Sequence, residues 1–170
     1  AGAVTPPAGF SNYLGVTSLA ATTVGSTDYY FITQKIEGYN IADLNWGTLN
    51  AKAVTLSFWV RSSLTGTFGG SLDAGSGNGA TYPFSYTISS ANTWTQIAIT
   101  IPGPTSGTWN TSNSGSIRLA FGLGVGSTYS GAAGSWSASN YLSSTGATSV
   151  VGTNNATWYV TGVQLEVGSS

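Results

Sequence analysis

Apolar side chains recur at every second position in short runs, and clusters of Gly, Ser, Asn and Pro separate the runs. A period of two puts successive side chains on opposite faces of an extended chain, so each run reads as a half-buried strand. The clearest run is 53–62, where Val54, Leu56, Phe58 and Val60 share one face and Thr55, Ser57, Trp59 and Arg61 the other. In 115–122, Ile117, Leu119 and Phe121 oppose Ser116, Arg118 and Ala120; in 94–101, Ile97, Ile99 and Ile101 oppose Gln96, Ala98 and Thr100. Further strands are expected at 12–19, 29–37, 66–73, 82–89 and 156–166, the last with apolar side chains on both faces. One segment, 40–46, can make a helical turn, with Asn40 as its N-cap and Gly47 as its stop.

About eight strands with Gly-rich turns predict a single all-β domain over residues 1–170: an antiparallel two-sheet β-sandwich of jelly-roll type, with a closed barrel as the alternative. Leu56, Phe58, Ile97, Ile99, Leu119 and Phe121 are expected in one core. The stretch 124–155 is rich in Gly, Ser and Ala but carries Tyr129, Trp136 and Tyr141, so it reads as an excursion that packs on the domain or meets a partner. The chain begins at Ala1 and contains no Met, as expected of a fragment of a longer protein or a processed product.

Charge narrows the function. Four basic residues against five acidic ones give a net charge of -1, too little positive charge to grip nucleic acid or an anionic membrane. No apolar run approaches the roughly 20 residues of a membrane-spanning helix. With no Cys and no His, there is no thiol nucleophile, no ordinary zinc or haem ligand and no imidazole base. Any hydrolysis would fall to carboxylates facing one bond, and no two of them stand at i and i+2 on one strand, so the chain is expected not to be an enzyme. No organic cofactor is implied. A structural calcium is the better use for acids at strand ends, and Glu37 and Glu166 are the candidate ligands.

Binding suits this composition better. Sugar rings present C–H faces that stack on indoles and phenols, while amides and guanidinium groups pair with their hydroxyls. Alternation puts Trp59 and Arg61 on the polar face of their strand and Gln96 and Arg118 on the polar faces of theirs. If these strands share a sheet, the four side chains line one surface; the other reading is that a loop or a neighbouring subunit covers Trp59. Trp46 and Trp94 adjoin core-forming segments and are read as structural. Trp109, in a turn, and Trp136, in the excursion, are expected to be exposed, either as contacts or as packing.

Five segments taken together add a family resemblance: QKIEGYNIADLNWGT (34–48), AVTLSFWVRSS (53–63) with TGTF (65–68), NTWT (92–95), ITIPGPTSGTW (99–109) and TWYVTGVQLEVG (157–168). The set resembles the C-terminal domains of bacteriophage and prophage tail-fibre and other virion structural proteins over about 29–169. More distantly, FWV in one strand and VQLE in the last is similar to jelly-roll carbohydrate-binding modules of glycanases. Those modules often carry a calcium-binding Asp where Thr161 and Gly162 stand here. The resemblance implies a noncatalytic virion appendage, extracellular, that recognises a bacterial surface glycan. It also shifts the expected assembly to a homotrimer, with part of 124–155 in the interface. Two rivals remain at this stage: a purely structural virion module, for trimerisation or capsid decoration, and a carboxylate-only glycan-cleaving enzyme.

Overall fold

The computed structural model describes residues 4–75 and 80–168. Eight strands carry the architecture: β1 (Leu14–Thr17), β2 (Tyr29–Glu37), β3 (Val54–Ser62), β4 (Gly66–Ala74), β5 (Thr81–Ile88), β6 (Thr95–Ile101), β7 (Gly115–Val125) and β10 (Thr157–Val167). Two short strands, β8 (Ser130–Gly131) and β9 (Ser143–Ser144), pair in parallel. Sheet A runs β1-β10-β3-β6 and sheet B runs β2-β7-β4-β5, both antiparallel. The pairs β1 with β10, β2 with β7, β3 with β6 and β4 with β5 are the rungs of one long hairpin. Rolling that hairpin up joins β10 to β3 and β7 to β4, which makes the jelly roll expected from sequence.

The expected strands form within one to three residues of their predicted ends, because alternation is a local property. Leu56, Phe58, Leu119 and Phe121 are buried between the sheets with Trp158, whose indole N–H donates to the Tyr86 hydroxyl at 3.0 Å. Ile97 and Ile99 depart from expectation and are only half buried, since β6 is the outer strand of sheet A; Ile101 is fully buried. The single helical turn foreseen at 40–46 is two 3-10 turns, Gly38–Asn40 and Ala42–Leu44, which meet at Ile41. Part of the Gly-rich hairpin after Asp73, residues 76–79, lies outside the described residues.

The excursion packs on its own domain. It crosses the outward face of sheet B, where β4 and β7 present Gly69, Ser71, Ala120 and Gly122. A Cβ on Gly69 would stand 2.4 Å from the hydroxyls of Ser143 and Ser144, and one on Gly122 would stand 2.7 Å from that of Ser143. Small residues are thus what lets this strap lie on the sheet. Thr148 N–H to the Thr67 carbonyl, Val150 N–H to the Leu123 carbonyl and an isolated bridge from Ser137 to Thr81 fasten it.

Candidate functional site

Two of the four predicted polar-face residues face each other directly. Trp59 on β3 pairs with Gln96 on β6 and, on its other side, with Thr161 on β10. This outward face of sheet A continues through Ser57, Ala98 and Gln164; Gln96 and Gln164 are exposed, and Trp59 is half buried. Arg61, two residues along β3, pairs with Tyr159. Its guanidinium lies 5.6 Å from that ring's centroid and its Nε–H donates to the Asn92 carbonyl at 2.9 Å, so Arg61 is a strut at the margin of the face.

The N-terminal segment covers the other half of this face. Trp94 donates its indole N–H to the Thr5 carbonyl, and the Tyr13 hydroxyl accepts the Val4 N–H. Tyr13 packs edge-on against both Trp94 and Tyr159. Trp59 shares none of these ring contacts. The N-terminal segment thus lies over Tyr159, and Trp94 helps to hold it there.

Gln164 escaped the sequence reading for a physical reason. Continued alternation from the buried Trp158 and Val160 would turn position 164 inward. A bulge between Thr161 and Gln164 shifts the register, and Gly162 there has φ +60°, so Gln164 emerges beside Ser57. Gly162, isolated within the strand pattern, was the available signal.

Arg118 belongs elsewhere. It lies on β7 of sheet B, across from Asp73 on β4 and Lys35 on β2, so it cannot share a surface with Trp59. Its Nε and Nη2 both donate to Oδ2 of Asp73 at 2.9 Å. Burial pushes the Asp73 carboxyl above its ordinary value, against the pull of Arg118 and, more weakly, Lys35. Arg118 also faces a small pocket with Tyr29, Phe31, Tyr129, Asn140 and Leu142. Tyr29, Tyr129 and Asn140 went unremarked as site residues because only the fold of the strap sets them beside β2 and β7.

Of the two remaining tryptophan candidates, Trp109 is buried against expectation and Trp136 is half buried. Trp109 is 7% exposed and stacks edge-on against Trp46 with ring centroids 4.7 Å apart. Trp136 packs against Trp46, Trp109 and Tyr82 and donates its N–H to the Pro102 carbonyl at 2.6 Å. These rings close one end of the sandwich. Trp136 borders a groove of about 390 Å³ between 103–107 and 136–138. Tyr129 and Tyr141 are half buried.

Glu37 and Glu166 are exposed and lie at the ends of strands in different sheets. Among the described residues there is no cluster of three acidic, His or Cys side chains suited to a metal. Asp28 accepts the Gly25 N–H within its own turn. A separate cavity of about 540 Å³ opens between β1–β10 and β2–β7, lined mainly by Ile32, Ile36, Leu119, Phe121, Val160 and Leu165. No charged side chain lines it, and Gln34, its central polar group, donates to the Lys35 carbonyl.

No protein-family model matches the chain, and no curated protein matches it in sequence. A solved structure described as "CBM4 structure and function" is similar to it, with a TM-score of 0.42 and 12% identity over 92% of this chain and 82% of its own. The all-β class stands on the strand pairings described above.

Proposed function

We propose that the chain is a noncatalytic carbohydrate-binding module whose contact surface is the open half of sheet A. The carrying observation is the row Thr161–Trp59–Gln96: a half-open indole on a central strand, with a carboxamide directly across from it and a second, Gln164, one row away. Apart from Glu166 at its end, this half of the face is uncharged, so recognition there works by stacking and amide hydrogen bonds. Rigid strands hold the groups in place before a ligand arrives, which lowers the entropy cost of binding. An open sheet face suits the side of an extended polysaccharide.

The noncatalytic part rests on the carboxylates. Asp73 is engaged by Arg118 and Asp28 by its own turn, which leaves these two carboxylates committed to the fold and not to a pair across one bond. The biological setting is proposed from the sequence resemblance: a phage fibre, extracellular, binding a glycan of the bacterial surface as a homotrimer. Light scattering tests the trimer by its mass, three times the 17.3 kDa of the chain.

Affinity electrophoresis in gels cast with bacterial surface polysaccharides tests the binding. The wild-type chain should be retarded, and Trp59→Ala should lose about 1–3 kcal/mol of affinity, by analogy with base stacking, while keeping its circular dichroism spectrum. Equal retardation of both proteins would refute the platform.

A further inference from the structure

We infer that the corner of sheet B that the strap leaves open is a second saccharide site, a pocket for one uncharged terminal sugar ring. This rests on the reading of the chain as a glycan binder, but it names a different surface and a different mode of contact. The two surfaces belong to different sheets, and the pocket shares no residue with the Trp59 face.

The pocket brings together the groups that sugar recognition needs. Tyr29, half exposed, meets Tyr129 edge-on at 5.1 Å and Phe31 at 5.8 Å, so its ring is braced from the strap and from its own strand. Arg118 lies 6.0 Å from the Phe31 centroid and is locked on its Nε edge by Asp73, which leaves its remaining N–H donors for the pocket it lines. Asn140 adds a carboxamide from the strap. Among the described residues, no hydrogen bond engages the hydroxyls of Tyr29 and Tyr129 or the Asn140 side chain. Two phenols, a carboxamide and a fixed guanidinium thus line one small, mainly polar pocket.

Size and charge decide the ligand class. At about 160 Å³ the pocket falls well below the roughly 300 Å³ at which drug-sized sites begin, so it takes one ring and not a run of them. Tyr129, Asn140 and Leu142 line it from the strap and Tyr29, Phe31 and Arg118 from the sheet, and a space this small between the two suits the end of a sugar chain. The Asp73 side chain, 5% exposed, already compensates Arg118, and Lys35 is not among the lining residues. A ligand carboxylate would meet a neutralised pair; a ligand hydroxyl gains a donor and loses nothing.

The test is a ¹H–¹⁵N NMR titration of the whole chain with methyl α-glycosides of glucose, galactose, mannose and N-acetylglucosamine, and of glucuronic acid. At least one neutral glycoside should shift the Arg118 Nε–H and the Asn140 carboxamide while leaving the Trp59 indole signal in place. Asn140→Ala and Tyr29→Ala, both at exposed positions, should each weaken that binding about tenfold, and Trp59→Ala should leave it unchanged. The pocket is overturned if only the glucuronide binds, if no glycoside moves these signals, or if Asn140→Ala has no effect. A chain that is retarded by polysaccharide through Trp59 yet shows no such shifts overturns the pocket and leaves the platform standing. Pocket shifts without Trp59-dependent retardation overturn the platform and support the pocket.

Discussion

Replacing Trp136 with alanine separates packing from recognition at a residue that sequence alone offered as a sugar contact. Its indole makes edge-on contacts with Trp46 at 5.6 Å, Trp109 at 5.5 Å and Tyr82 at 5.4 Å, and one hydrogen bond to Pro102. Aromatic pairs contribute about 0.5–1.5 kcal/mol each beyond the area they bury, and a net hydrogen bond contributes about 1 kcal/mol. Truncating a fully buried Trp costs about 3–5 kcal/mol; Trp136 is only half buried, so a loss of about 2–4 kcal/mol is expected. Urea unfolding followed by circular dichroism measures the loss directly. Hydrogen exchange locates it, with faster exchange expected at Ser137 N–H and Gly134 N–H, which bond to β5. Trp136→Phe should recover part of the stability by restoring ring contacts without the N–H donor. Polysaccharide retardation of the folded variant should match wild type. A loss below about 1 kcal/mol, or lost retardation in a variant of native stability, would refute the assignment of Trp136 as a clamp.

Four further outcomes follow from the same geometry. Gly162→Ala forces a residue with a side chain to φ +60° and brings its Cβ to 2.5 Å from the Phe10 ring, so chemical denaturation should show a loss of about 1–3 kcal/mol. Arg118→Met strands a buried carboxylate and should cost about 3 kcal/mol, the low end for a broken buried pair since Arg118 is 23% exposed; adding Asp73→Asn in the same denaturation assay should restore most of it. Because burial raises the Asp73 pKa in the folded state, the contribution of this group is full below the ordinary value of 3.8 and is lost as pH rises through the folded value; lowering pH from 7 toward that value should therefore move the urea midpoint upward in wild type relative to Asp73→Asn. Tyr86 is raised by burial in the same sense, so its contribution is present below pH 10.0 and is lost as pH rises through the folded value; Tyr86→Phe strands the Trp158 N–H and should be less stable at pH 7, but its urea midpoint should fall less steeply than wild type above pH 10.0.

The eight main strands were legible in the sequence, and for β3, β6 and β7 so was the side turned to the core. Alternation of Val54, Leu56, Phe58 and Val60 against Thr55, Ser57, Trp59 and Arg61 is a property of neighbouring residues in one extended segment, and no distant contact is needed to read it. The same holds for the outward placement of Trp59 and Gln96. Sheet membership is different, because a polar face on β7 looks the same whether β7 lies beside β3 or beside β2. Only the rolling of the hairpin put Arg118 opposite Asp73 and away from Trp59. The bulge at Gly162 likewise turned Gln164 outward against the count of residues. Trp109 and Trp136 sit in segments without alternation, so nothing local to them records whether another part of the chain will lie on top. Local periodicity therefore determined strands and faces, while pairing order and the path of the strap, both products of contacts far apart in sequence, decided which side chains meet a ligand and which close the fold.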